Sequence, residues 1–284
     1  MENAENYEID QDLRQSREYG LYMERIGWKS ELIQHSGSKI QVFLKKLGPL
    51  GIVKIQRTRG VLPLEKIEKY LKDNGAMLCK IEPSVIKATS EQSLKSHGYK
   101  MSKWPLLGTK TLRVNLKPEN EDIFNSLKKD SRYILRKIYN LKHETKINDF
   151  DGFYEIWKKS AKRKDLWIPG KKEYQALIDS FGEGCLCLNI DNSAGCLVLI
   201  HMNTAFYYYA GSTAEAVKNN LPYLVVWEAI KEAKKRGCTV WDFEGIYDSR
   251  FPNKGWMGFS HFKKSFGGQE MEFPGSWEKW RWPF

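Results

Sequence analysis

No apolar run in this chain approaches the ~20 residues needed to cross a bilayer, and no low-complexity linker or long coiled-coil insertion interrupts it. Residues 1–12 are acidic and polar, with no basic region ahead of an apolar stretch, so no secretory leader is expected and the expected location is cytoplasmic. Cysteine is scarce. The five (Cys79, Cys185, Cys187, Cys196, Cys238) are odd in number, widely spread and set among apolar residues. Alternation along a strand would put Cys185 and Cys187 on one face, but no second Cys or His pair stands at zinc-site spacing. Buried structural thiols and no metal site are therefore expected. The five histidines (His35, His97, His143, His201, His261) form no HExxH or other paired metal spacing. Ser260 and Ser265 lack the Gly-x-Ser-x-Gly elbow, which leaves serine hydrolase chemistry unsupported.

What is abundant is positive charge and aromatic surface. Lys and Arg total 46 against 35 Asp and Glu, a formal +11. Such an excess favours polyanionic partners: RNA, a nucleotide diphosphate or an anionic membrane face, although a solvated lysine-rich surface gives the same balance. Hydrophobic residues at 41% and aromatics at 13% supply a sizeable core. The length of 284 residues fits two domains at about 150 each.

The pattern repeats. Residues 11–26 read as a helix, 39–47 and 51–56 as strands about a Gly48-Pro49-Leu50 turn, 64–72 as a helix opened by Pro63, and 76–81 as a strand. Further on, 150–164 and 172–181 read as helices and 185–190, 195–202 and 205–210 as a three-strand meander. Pro222 opens a helix with Leu224, Trp227, Ile230 and Ala233 on one side. Its basic end and Gly237 stop it, and 238–243 is a strand. The expectation is two copies of one α/β unit, 1–146 and 147–284. Residues 117–146 read as a linking helix bearing Lys128, Lys129, Arg132, Arg136 and Lys137.

The sharpest signals lie in the last third. Trp241-Asp242-Phe243-Glu244-Gly245-Ile246 ends a strand with two carboxylates in a glycine-bearing loop, and 258–268 reads GFSHFKKSFGG. Loops at strand ends commonly form sites. A lysine among aromatics can hold developing negative charge in a water-poor place. The competing explanation is a pair of solvated lysines over core aromatics. Arg57-Thr58-Arg59-Gly60-Val61-Leu62 has the Arg-x-x-Gly start of an acetyl-CoA pyrophosphate loop, but Leu62 would crowd the approach of a phosphate.

These segments, with Phe206-Tyr207-Tyr208-Tyr209-Ala210-Gly211 and Trp227-Glu228-Ala229-Ile230, resemble the motifs of the Fem-type aminoacyltransferases. The looser N-terminal matches are Gln15-Ser16, Gly27-Trp28, Arg59-Gly60, Ile81-Glu82-Pro83 and Thr111-Leu112-Arg113-Val114-Asn115-Leu116. The resemblance spans about residues 12–275. It implies two tandem GNAT-like domains with mixed sheets and flanking helices, without a coiled-coil arm. It also implies transfer of an amino acid from aminoacyl-tRNA to the stem-peptide amine of a UDP- or lipid-linked muramyl peptide. No cofactor is implied, a monomer is, and the inner membrane face is a further partner the family and the charge allow. Carried onto this sequence, Phe262 and Lys263 match the family's Phe-Lys pair, whose lysine stabilises an oxyanion. Arg163, Lys171 and Lys172 fall where members bind the precursor's diphosphate. Glu82, Tyr209, Asp242 and Glu244 complete the expected substrate set, with Asp242 and Glu244 nearest by motif position to a general base. Lys128, Lys129, Arg132 and Arg136 are the expected tRNA contacts. His261 stands beside the Phe-Lys pair, either as a proton shuttle or as a structural histidine. The rival readings are an N-acyltransferase using acyl-CoA or an acyl carrier protein, and a non-catalytic RNA-binding module.

Overall fold

A computed structural model describes residues 7–35, 38–85 and 91–281. Residues 1–6, on which the expectation about a leader partly rests, lie outside the described residues. The chain divides into two units, residues 7–10, 111–247 and 254–271 in the first, and residues 11–110, 248–253 and 272–281 in the second.

In the second unit the expected helix over 11–26 is split. Asp12 caps a 3₁₀ turn (Leu13–Gln15), and Ser16, extended at φ −81° and ψ 156°, accepts from the Tyr19 N–H at 3.0 Å to start α1 (Arg17–Arg25). Side chains that satisfy the first N–H groups of a helix fix its start in this way. A meander follows of β1 (Lys29–His35), β2 (Ser38–Leu47) and β3 (Leu50–Gln56). α2 (Leu64–Asp73) then leads into β4 (Ala76–Glu82), parallel to β3. The C-terminal β13 (Trp277–Trp280) lies between β4 and β5 (Lys100–Met101), giving the order β1-β2-β3-β4-β13-β5. α3 (Glu91–Ser96) places Leu94 beside Trp277 in a core with Val53, Ile55, Ile67 and Cys79.

In the first unit, β6 (Lys110–Asn115) leads to two helices where one was expected, α4 (Asn120–Ser126) and α5 (Lys129–Tyr139). Leu127 and Lys128 between them are extended, which turns the Leu127 side chain into the core, and the Arg132 guanidinium donates to the Asn125 and Leu127 carbonyls. β7 (Thr145–Ile147), α6 (Phe150–Arg163) and α7 (Lys171–Phe181) precede the meander of β8 (Cys185–Ile190), β9 (Ala194–His201) and β10 (Thr204–Ser212). α8 (Ala214–Lys218) and α9 (Leu221–Lys235) follow. The apolar side of α9, Leu224, Trp227, Ile230 and Ala233, is buried as its spacing requires. β11 (Val240–Asp242) runs parallel to β10 and antiparallel to β6. With α10 (Met257–Lys264) and β12 (Gln269–Glu272), the sheet order is β12-β6-β11-β10-β9-β8-β7.

Each unit thus holds a three-strand antiparallel meander, a helix, and a fourth strand parallel to the third, with the remaining helices flanking a mixed sheet. The expected boundary after residue 146 falls inside the first unit. Pairing of β6 with β11 draws residues 111–146 into that unit's sheet, and pairing of β13 with β4 carries the C-terminal strand into the other. Among the described residues the longest helix is α9, with 15 residues, so no coiled-coil arm is visible. None of their helices is long and apolar enough to cross a membrane. All five cysteines are buried free thiols, and burial pushes the Cys185 thiol up to about 12. Among the described residues no group of three or more His, Cys, Asp or Glu could hold a metal ion.

Candidate functional site

Two neighbouring parallel strands behave differently in the two units. β3 and β4 pair from Gly51 to Gln56, with one register shift between Gly51 and Ile52. β10 and β11 share just Thr204 to Phe206, after which β11 ends and β10 runs on through a bulge at Tyr207–Tyr209. Parallel strands that part company at their carboxyl ends leave an opening in the sheet, and loops there are held on a rigid frame.

The chain leaves β11 through a strained turn. Glu244 sits at φ 61° and Gly245 at φ 138°, the former a conformation uncommon for any residue with a Cβ. This turn aims the Phe243 and Gly245 carbonyls at Lys263, whose Nζ donates to them at 2.7 and 2.8 Å. The ammonium also stands 4.9 Å from the Phe259 ring centroid and 5.9 Å from that of Tyr207. Burial lowers the Lys263 pKa from 10.5 to about 8, even though the Glu244 and Asp242 carboxylates act to raise it. Two of its three N–H groups are spent on carbonyls, so one remains for a substrate oxygen. Lys263 was expected in a loop, yet it lies near the end of α10, which fixes its direction more tightly than a loop would. Phe262, half-buried, meets Tyr223 and Phe266 edge-on and seats the helix on the core. Ser260 is structural, its Oγ accepting from the Tyr247 N–H at 2.6 Å and donating to the Trp256 carbonyl. His261 is exposed on the same helix.

Asp242 is placed beside this turn and is fully occupied. It accepts from Thr111 Oγ1 at 2.6 Å, Arg113 Nε at 2.8 Å and the Glu244 N–H at 2.8 Å. Burial by itself would raise its pKa, but Arg113, Thr111 and the Glu244 N–H outweigh it and hold the carboxyl below its ordinary range. So placed, Asp242 anchors the turn and is a poor proton acceptor at neutral pH. Its partners were not singled out in the sequence, although Thr111 and Arg113 alternate on β6, and Arg113 lies opposite Asp242.

The Phe266-Gly267-Gly268 run has a steric reason. Gly267 and Gly268 have φ of 73° and 89°, and a Cβ on Gly268 would overlap the Arg113 carbonyl. Gly268→Ala is expected to destabilise the protein by about 3 kcal/mol or more, through strain and displacement of β6. Urea unfolding checks this, and a loss below 1 kcal/mol (about the cost of an ordinary substitution) would show that the backbone there relaxes freely.

The other expected residues divide by unit. In the first, Tyr209 stacks on Trp157 with centroids 4.1 Å apart, at the bulge. Arg163 ends α6 and donates to the Ser212 carbonyl at 3.1 Å, while Lys171 and Lys172 open α7, Lys171 paired with Asp151 at 2.9 Å. Thus the structure brings these three cations to the two ends of one loop, residues 164–170. Burial, then the Arg163 charge, pushes the Lys164 pKa below 10.5. Of the expected tRNA contacts, Lys128 and Lys129 are exposed at the start of α5. Arg132 is taken up by the α4 carbonyls, and Arg136 lies over the Phe124 ring at 5.5 Å. In the second unit, Glu82 is buried and accepts from Gln56 Nε2 and from the Leu106 and Leu107 N–H groups at 2.9, 2.6 and 3.1 Å. It therefore holds the chain together and is not open to a ligand. The Arg57–Leu62 loop is likewise committed to the fold, with Leu62 in the core and Arg57 stacked on Phe273 and donating to the Gly108 carbonyl.

Two meander–helix–strand units with mixed sheets, one of them carrying the half-buried Lys263, define a tandem GNAT-like acyltransferase fold. The chain superposes on a crystal structure of FemX with a TM-score of 0.79 at 16% identity, covering 95% of this chain and 92% of that one. The structure of L-PGS from Bacillus licheniformis matches at TM-score 0.59 and 11% identity, over 92% and 86%. A tandem GNAT protein from the clavulanic acid biosynthesis pathway matches at 0.54 and 7%, over 89% and 83%. Likeness at such identities establishes the fold. No curated protein matches the chain by sequence. The model of the FemAB family matches residues 187–283, the C-terminal third of the chain. The segment contains β10, β11, the strained turn, Lys263 and the Gly-Gly pair.

Proposed function

We propose that this protein moves an amino acid from aminoacyl-tRNA to the stem-peptide amine of a peptidoglycan precursor. Family and fold point to acyl transfer. The observation that supports this chemistry most is the Lys263 ammonium, held by two carbonyls with one donor left, at the opening between β10 and β11. In the proposed reaction the neutral amine attacks the ester carbonyl carbon and a C–N bond forms. The carbonyl oxygen becomes an oxyanion facing the third Lys263 N–H. Collapse breaks the ester C–O bond, and the ribose oxygen leaves with the proton given up by the amine. Because the ester is already activated, the protein's main contribution is to orient the two substrates. Asp242, bound on every side, positions the turn and takes no proton.

On this reading Arg163 and Lys172, with Lys171 where it leaves Asp151, receive the acceptor's diphosphate. Lys128 and Lys129 contact tRNA phosphates. Replacing both Lys128 and Lys129 with Glu should weaken binding of aminoacyl-tRNA and reduce the slope of log K against log salt by about 2, one per lost phosphate contact. Filter binding across a salt series measures this, and an unchanged slope would remove α5 from the tRNA surface. The donor is tested with charged tRNA bearing a labelled amino acid. Label should pass to a muramyl-pentapeptide, and acyl-CoA should neither raise the melting temperature nor acylate that amine. RNA binding with no transfer under any donor would instead favour a non-catalytic RNA-binding module.

A further inference from the structure

The loop between α6 and α7 exposes apolar side chains that the proposed transfer does not use. Leu166 is 60% exposed and Trp167 is 83% exposed, on neighbouring positions. The loop is nonetheless firmly built. Asp165 has φ 52° and the Leu166 N–H donates to the Ala161 carbonyl at 3.0 Å, closing α6 with a left-handed cap. At its other end Tyr154 Oη donates to the Pro169 carbonyl at 3.3 Å, and the Tyr174 N–H to the Gly170 carbonyl at 3.0 Å. A residue in the position of Leu166 commonly packs back on its helix in such a cap. Here it faces water with Trp167 instead. Flanking the two in sequence are Lys162, Arg163, Lys164, Lys171 and Lys172, with Asp165 among them and Lys171 paired with Asp151. Lys171 and Lys172 open α7, where cations oppose the helix dipole, a placement that helix stability does not explain.

We propose that residues 164–170 dock this protein on an anionic phospholipid surface, with Trp167 and Leu166 entering the headgroup boundary and the flanking cations meeting lipid phosphates. Tryptophan favours that boundary because its ring is apolar and its N–H polar. Each cation held near an anionic leaflet strengthens binding about fivefold. A rigid tip carrying a tryptophan and an aliphatic leucine fits an acyl boundary better than nucleic acid, since leucine offers no stacking face for a base. One consequence rests on the transfer reading above: the acceptor is the lipid-linked precursor, whose diphosphate lies at the height of these cations.

The test is co-sedimentation of the full chain with phosphatidylglycerol-rich vesicles and with pure phosphatidylcholine vesicles. The wild type should sediment with the former at low salt and much less with the latter. Leu166→Ser with Trp167→Ser should reduce partitioning about tenfold or more with an unchanged circular dichroism spectrum, since both side chains are exposed. Equal sedimentation of wild type and variant, or no binding of the wild type, would overturn the proposal. So would a variant that keeps vesicle binding but loses tRNA binding, which would assign the loop to RNA. None of these readouts requires turnover, so their failure is separable from failure of the transfer reaction. If docking also selects the acceptor, the serine variant should lose transfer to a lipid-linked muramyl peptide in vesicles while keeping transfer to the soluble UDP-linked one.

Discussion

Lys263→Met is expected to lower turnover about 10²–10³-fold, the usual effect of deleting one oxyanion donor, while the protein remains folded. The expectation follows from placement. The ammonium stands at the turn that follows β11, and its direction is set by the Phe243 and Gly245 carbonyls. Its pKa of about 8 gives the claim a second readout. The ammonium is the donor, so the rate should fall as pH rises through about 8, whereas deprotonation of the substrate amine drives the rate upward. The wild type should show a falling limb near pH 8 that is missing from Lys263→Met. Stability moves the other way. The folded pKa lies below the unfolded value of 10.5, so the charged lysine is disfavoured by folding below pH 8, and that cost fades as pH rises to 10.5. Relative to the methionine variant, the wild type should gain up to about 3 kcal/mol across that window. Unfolding in urea on either side of it measures the gain. Full activity in the variant would assign Lys263 to holding the turn alone.

Asp242→Ala is expected to destabilise the protein by about 3–5 kcal/mol, because it breaks a buried ion pair with the Arg113 guanidinium at 2.8 Å. It also frees Thr111 Oγ1 and the Glu244 N–H, and with them the strained turn that aims two carbonyls at Lys263. Activity should therefore fall with stability. The double variant Asp242→Leu, Arg113→Met separates burial from charge, since an apolar pair of similar volume often restores stability. It should recover much of the unfolding free energy but little turnover, because the Glu244 N–H then loses the carboxylate that holds the turn. The carboxyl is held below its ordinary pKa of 3.8, so its stabilisation is present at neutral pH and is lost as pH falls below 3.8 through the depressed value. A loss under 1 kcal/mol in the single variant would mean that Arg113 finds another partner and that the turn stands without Asp242.

How much of this was legible beforehand differs by element. The β2–β3 hairpin, the β8–β10 meander and the helices α2, α6 and α9 follow from local pattern, because their apolar spacing, turn residues and caps all lie within a few positions. β1 and β13 gave no such signal. β1 buries little beyond Ile33, and β13 is a four-residue strand defined by its long-range pairing with β4 and β5. The linking helix was overextended because the break at Leu127 and Lys128 is made by burial of Leu127 and by Arg132, neither of which interrupts a helical pattern. At the site, the motif located Lys263, Phe262 and the Gly-Gly pair. It also marked Asp242 and Glu82 as acids for a substrate. Both are consumed by the protein, Asp242 by Arg113 and Glu82 by backbone N–H groups, and such partners are visible only when distant segments meet. The basic stretch holding Arg163, Lys171 and Lys172 was legible in the sequence, and the exposure of Trp167 within it was not.

The central claim is aminoacyl transfer through Lys263, and mass spectrometry of a reaction mixture tests it most directly. Charged total tRNA is supplied with UDP-linked and lipid-linked muramyl-pentapeptide, alongside a parallel reaction with acyl-CoA. A peptide heavier by one aminoacyl residue, formed by the wild type and lost with Lys263→Met, is the predicted result. No such product with tRNA, together with acylation of an amine from acyl-CoA, would contradict the account and place the protein among the N-acyltransferases.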